Sequence, residues 1–179
     1  MEPGLLIVAS GAIALSWLMA VAGGAKLRHR RVHARALDAY ALLPEGAGRW
    51  LAPVLGVAEC AAALAIWPMG TRAAAALLIL ALLVLYSGAI AINLLRGRRD
   101  IACGCGGAAT HVPLSGWLLA RNAALMAAAL ALHEAPQALA LAGASWPSAL
   151  AALAVATLLV LLYNGANFLL SRDTLLQDD

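Results

Sequence analysis

Two uninterrupted apolar runs decide what this chain can fold into. Ala73–Leu95 is 23 residues long and Leu5–Ala25 is 21, and neither contains a charged side chain. A helix rises about 1.5 Å per residue, so either run crosses the roughly 30 Å hydrocarbon core of a bilayer. In lipid every backbone polar group must be paired internally, which a helix does within one segment. The rest of the chain repeats the theme. Hydrophobic residues make up 64% of it and charged residues only 12%, about half the charge of an ordinary soluble domain. The formal net charge of +3 is not a nucleic-acid signal, because the arginines cluster between apolar runs, where they report membrane orientation.

In chain order the sequence predicts five spans: Leu5–Ala25, Trp50–Trp67, Ala73–Leu95, Leu114–Leu132 and Pro147–Leu170. The first is long for a secretory h-region and lacks a basic n-region, so it reads as a retained helix. Between the first two spans, Ala36–Pro44 reads as a short amphipathic connector with Leu37, Ala41 and Leu42 on its apolar side. Ala138–Ala142 is apolar but too short to cross; it extends the fourth helix or dips into the interface. The expected fold is an all-α, polytopic transmembrane helical bundle, a single integral membrane domain over residues 1–179. It has about five spans, a four-helix core and one peripheral helix.

Five spans put Lys26, Arg28, Arg30, Arg31, Arg35, Arg49, Arg96, Arg98, Arg99 and Arg172 on one side and Arg72 alone on the other. The positive-inside rule makes the ten-residue side cytoplasmic, with the N-terminus outside and the C-terminus inside.

Chemistry is most concentrated between the third and fourth spans, where Cys103 and Cys105 flank Gly104 and are followed by Gly106 and Gly107. So close a pair permits a small-ring, strained disulfide, and strained or exposed disulfides tend to be the labile ones. The glycines leave room for a partner thiol, and Arg98 and Arg99 favour a thiolate. The alternative is a pair of structural cysteines in a glycine-rich loop. Metal binding fits poorly: the two thiols and His111 give three ligands at a spacing unlike the usual zinc patterns. Cys60, in the second span, reads as a small buried hydrophobe or as a resolving thiol.

Charges inside spans are expensive and face partners. Glu59 lies about 14 Å from the Arg49 end of its span, and Arg121 about 10 Å from the Leu114 end of its own. At these depths they are expected to pair and to hold helices together or tune the site. Asn93, Asn122 and Asn167 are expected to bond between helices near the same face.

These residues resemble the MauE-type methylamine-utilisation membrane proteins, relatives of DoxX-like proteins. The resemblance rests on Gly23-Gly-Ala-Lys26-Leu27, Tyr40-Ala-Leu-Leu-Pro44, Glu59, Asn93-Leu-Leu-Arg-Gly-Arg-Arg-Asp100, Cys103-Gly-Cys105-Gly-Gly107 and Arg121-Asn122, and spans nearly the whole chain. It implies a bacterial inner-membrane protein needed to mature methylamine dehydrogenase, whose periplasmic, disulfide-rich small subunit carries a tryptophan tryptophylquinone. It also implies a thioredoxin-like, MauD-type partner and thiol–disulfide traffic rather than methylamine oxidation. No cofactor is fixed for the chain itself; a quinone stays open. A non-catalytic assembly factor or scaffold is the alternative, and a small-molecule transporter a third. Resemblance and charge pull apart on one point. A periplasmic partner needs thiols reachable from outside, and the arginine count places them inside. An embedded pocket open to the outside, a relay from a cytoplasmic donor, or a shifted span would each reconcile the two.

Overall fold

The computed structural model describes residues 3–68, 70–101, 114–135 and 146–176. They form six helices: α1 (Pro3–Arg28), α2 (Arg30–Ala39), α3 (Gly48–Ala65), α4 (Arg72–Leu95), α5 (Gly116–Glu134) and α6 (Trp146–Leu176). Four of them, α1, α3, α4 and α6, are long and apolar enough to cross a membrane. The expected fourth span is present as the helix α5 but falls outside that group; Arg121, Asn122 and His133 lower its apolarity.

The bundle is built inside out relative to a soluble protein. Its larger core joins α1, α3, α4 and α5 through small side chains, Ala12, Ala62, Ala63, Ala75, Ala76 and Ala129, with Leu15, Ile66 and Ile79 between them. Small residues let helix backbones approach closely where lipid removes the hydrophobic drive to associate. Large side chains face outward instead: Trp17, Val54, Val57, Leu64, Val84 and Leu85 are exposed. Helix α6 packs on α1 and buries Ala152 and Ala156 while Leu153, Leu158, Leu161 and Leu162 point away. Trp50 near the start of α3 and Trp67 just past its end are both exposed. Seventeen residue steps separate them, about 26 Å along a helix, close to the thickness of the hydrocarbon core whose edges tryptophan prefers.

Helices α1 and α3 run antiparallel: the Ser16 hydroxyl donates to Ala63 O at 2.9 Å, while Gly23 meets Gly56 nearer the other end. The connector between them differs from the expectation. The helix is α2, Arg30–Ala39, and Ala36–Pro44 is not one amphipathic segment. The chain leaves the helix after Ala39, and Ala41 and Gly46 take positive φ of 48° and 78° in the turn that follows. Buried His33 faces the bundle. Asp38 Oδ1 accepts the Gly48 N–H at 2.8 Å, satisfying a backbone donor at the α3 N-terminus, where Ala47 offers no side-chain cap.

At the far end of α4, Gly97 adopts φ 72°. The Gly97 N–H bonds Leu94 O and the Arg98 N–H bonds Asn93 O, each at 3.0 Å. This is a Schellman stop, which needs a left-handed residue that glycine adopts without strain. The Leu114 N–H then bonds Arg99 O at 3.0 Å, so the chain departs and returns at one place. The expectation for Ala138–Ala142 lies outside the described residues.

Candidate functional site

The most buried charged group among the described residues is assembled where α1 crosses α3. A Cβ added at Gly23 would stand 2.6 Å from Gly56 O and 2.7 Å from Cys60 Sγ, and one at Gly56 would stand 3.1 Å from Gly23 O. A side chain at Gly23 would collide with backbone, and one at Gly56 would crowd it, so this approach requires glycine at position 23. One turn beyond these glycines along their own helices lie Lys26 and Glu59. Because the helices are antiparallel and side chains lean toward their own N-termini, the two reach toward each other. Lys26 Nζ donates to Glu59 Oε1 at 2.8 Å and to Oε2 at 2.9 Å. From α4 the Tyr86 hydroxyl donates to Oε1 at 2.7 Å, and the ammonium sits 5.3 Å from the Tyr86 ring centroid. Lys26 is 6% and Glu59 1% exposed. Two donors and an aromatic face thus compensate a pair of charges that desolvation would otherwise disfavour.

This corrects the expected Glu59–Arg121 pair. Glu59 is occupied by Lys26 and Tyr86. Helix α3 packs mainly on α1, α2 and α4, whereas α5 packs on α4 and α1. Arg121 turns toward α6: its Nε and Nη2 donate to Asn122 Oδ1 at 3.3 and 3.0 Å, its Nη1 to Asn167 Oδ1 at 3.4 Å, and its guanidinium lies 5.5 Å from the Tyr163 ring centroid. Trp117 Nε1 also donates to Asn167 Oδ1, at 3.3 Å, and Asn122 Nδ2 donates to the Ser87 hydroxyl at 3.2 Å. Asn122 and Asn167 therefore bridge α4, α5 and α6, as expected of polar residues between membrane helices.

Lys26 is the buried partner of Glu59 that sequence reading missed as such. It stood among the linker cations because the first apolar run stops at Ala25. Helix α1 continues to Arg28, which keeps Lys26 in register with the Gly23 crossing. Nine of the ten basic residues assigned to one side then remain as candidates for that side, since Lys26 is buried against Glu59. The usable signal was the matched spacing, Gly23 to Lys26 and Gly56 to Glu59.

Asn93 is fully buried, donates to Ala89 O at 3.1 Å, and accepts from Arg98 Nη1 at 3.3 Å. Arg98 also donates to Tyr40 O at 3.2 Å and Ala39 O at 2.9 Å, and Arg96 Nη1 donates to Ala41 O at 3.4 Å. The two guanidinium groups thus hold the carbonyls that end α2, the negative end of its dipole. Arg98 is engaged as a clasp between α4 and α2, and Arg99 is exposed. Cys103, Gly104, Cys105, Gly106, Gly107 and His111 lie outside the described residues. The clasp and the Arg99–Leu114 bond mark where that segment begins and ends. Cys60 is half-buried beside Gly23. It lies about 18 Å along α3 from Gly48, the end at which α2 and the clasp are found.

Comparison with known proteins matches residues 4–135 to the family model described as methylamine utilisation protein MauE. Curated relatives described as methylamine utilization protein MauE include one from Paracoccus denitrificans, 40% identical over 67% of this chain and 64% of its own length. Another, from Methylophilus methylotrophus, is 34% identical over 94% of this chain and 87% of its own. A third, from Methylorubrum extorquens, is 39% identical over 85% and 81%. The chain thus spans slightly under two thirds of the Paracoccus relative and most of the other two. No solved structure matches it significantly. The glycine crossing, the Glu59 pair and the Arg98 clasp all fall within the matched region, and the chain belongs to the MauE family of membrane proteins.

Proposed function

We propose that this protein acts in the bacterial inner membrane in the maturation of a periplasmic, disulfide-rich enzyme, the small subunit of methylamine dehydrogenase or one like it. The chemistry is thiol–disulfide exchange through Cys103 and Cys105 with a thioredoxin-like, MauD-type partner. Membership of a family whose curated members are described as methylamine utilization proteins supports the setting. The observation that carries the chemical reading is the paired cysteine motif Cys103-Gly-Cys105-Gly-Gly107, reached directly from the Arg98 clasp and the Arg99–Leu114 closure. One thiolate attacks a disulfide of the partner and displaces a partner thiolate, leaving a mixed disulfide; the second cysteine resolves it and releases the partner reduced. Each round leaves the Cys103–Cys105 pair oxidised, and the reverse sequence oxidises the partner instead.

The spans are α1, α3, α4, α5 and α6, with α5 crossing among more apolar neighbours that cover its polar residues. The arginine distribution supports a periplasmic N-terminus and a cytoplasmic C-terminus. On this orientation the cysteine segment begins on the cytoplasmic side and the client lies opposite, so exchange crosses the bundle or enters from outside. Impermeant thiol reagents applied from either side separate these routes. The test of the chemistry is trapping. Cys103→Ser and Cys105→Ser, expressed singly beside the partner, are expected to differ: one accumulates a mixed disulfide and the other forms none. Equal absence of adducts in both, with the proteins folded, counts against exchange at this motif.

A second reading, a non-catalytic scaffold, is favoured by one observation. Lys26, Glu59 and Asn122 are all buried and hydrogen-bonded to other helices of the bundle, which rigidifies a framework. A scaffold keeps its activity when both cysteines are serine.

A further inference from the structure

At the end of the bundle where α1 leaves and α3 begins, the surface carries a cluster of cations that the functions above do not use. Arg28, His29, Arg30, Arg31 and Arg35 are exposed along the end of α1 and on α2, and Arg49 is exposed at the start of α3. No carboxylate among the described residues lies within ion-pair distance of Arg28, Arg30, Arg31, Arg35 or Arg49. The nearby acids are Asp38, whose Oδ1 accepts the Gly48 N–H, and Glu45 in the turn. Five arginines against two carboxylates leave the patch positive. It is also not purely polar: Val32 is 48%, Leu43 50% and Trp50 69% exposed, with the Arg49 guanidinium 5.3 Å from the Trp50 ring centroid.

We propose that this face binds the headgroups of anionic phospholipids, with α2 lying at the bilayer surface. Three observations select a lipid rather than an acidic protein. The cations are interleaved with exposed apolar side chains, as on helices that sit at the headgroup–acyl boundary. Trp50, about 26 Å along the α3 axis from Trp67 just beyond that helix, marks this level as one edge of the hydrocarbon core. The guanidinium groups are at the mouth of two spans, where headgroup phosphates are the nearest anions, and arginine grips phosphate oxygens with paired N–H donors. His33 is buried and Asp38 bonds the α3 N-terminus, so the outer face can engage lipid without disturbing the fold.

The experiment uses the purified full chain in nanodiscs containing phosphatidylglycerol and phosphatidylethanolamine with identical acyl chains. Lipids retained on release are counted by native mass spectrometry. The wild type is expected to retain phosphatidylglycerol preferentially, by roughly fivefold for each arginine that meets a net-anionic headgroup, since the phosphate of phosphatidylethanolamine is offset by its own ammonium. Raising salt from about 0.1 M to about 1 M shortens the screening length from ~10 Å to ~3 Å and is expected to erode the preference. R31Q/R35Q is expected to lower it further at unchanged thermal stability. Equal retention of the two lipids by the wild type overturns the proposal and leaves the patch to an acidic protein partner or to orientation alone. A preference undiminished in R31Q/R35Q, or indifferent to salt, overturns it equally. The salt series needs only the wild type, so the proposal stays testable if the variant folds poorly. None of these readouts depends on the cysteines.

Discussion

Glu59 is held by two donors from two other helices, so its removal strands charge rather than merely losing a contact. Breaking a buried ion pair from one side costs about 3–5 kcal/mol, because the remaining charge stays desolvated. Glu59→Gln and Lys26→Met are each expected to destabilise the folded bundle by that order, read from thermal or denaturant unfolding in micelles. The double variant K26M/E59Q is expected to lose less than the sum, with a coupling of about 1–3 kcal/mol. Glu59→Gln and Arg121→Gln, which remove hydrogen bonds to different residues, are expected to add within about 0.5 kcal/mol. A strong coupling of Glu59 to Arg121 and none to Lys26 would contradict the observed pairing. At this scale Glu59 and Arg121 were legible from the sequence as intramembrane charges needing partners. Which partner each takes was not, because partner choice depends on which helices adjoin, and span depth alone does not give that.

At the scale of elements, two contacts fix how helices meet. The first is the Gly23 crossing, where an added Cβ meets backbone oxygen of Gly56 that cannot move without parting α1 and α3. Gly23→Ala is expected to lower the melting temperature of the purified protein. Gly24→Ala, with open space around its added Cβ, is expected to leave it unchanged or raise it, since alanine is better in a helix by up to about 1 kcal/mol. Equal effects at both positions would remove the crossing as an organising contact. The second is the Arg98 clasp. Lysine cannot present a planar fork to several carbonyls, so Arg98→Lys is expected to loosen α2 as much as Arg98→Ala does, seen as faster amide exchange across Val32–Ala39. The sequence indicated the five long helices because apolar runs bounded by Arg, Pro and Gly carry that signal. It misplaced the short α2, because Leu37, Ala41 and Leu42 suggest one apolar side while Ala41 takes a left-handed conformation after the helix has ended.

For the whole molecule, the chain sets an all-helical bundle with small residues inside and large apolar residues outside, the arrangement expected for a lipid solvent. A polar clasp at the α2 end holds both the turn after α2 and the base of the cysteine segment. The basic clustering is equally a whole-molecule property: a reporter active only in the cytoplasm, fused after Asp179, is expected to be active, and a silent fusion at matched levels would contradict the orientation. Family and membrane class were legible because they are written in composition and in local motifs. The burial of Lys26 and the dual role of Arg98 were not, because each needs a helix end and a neighbouring helix placed together. The central claim is that this bundle carries a thiol pair whose exchange matures a periplasmic client. Its most direct test is maturation of the methylamine dehydrogenase small subunit in cells carrying C103S/C105S at wild-type protein levels. Loss of maturation, together with a partner adduct through one of these sulfurs in a single-cysteine variant, is the expected result; full maturation with both sulfurs removed would contradict the claim.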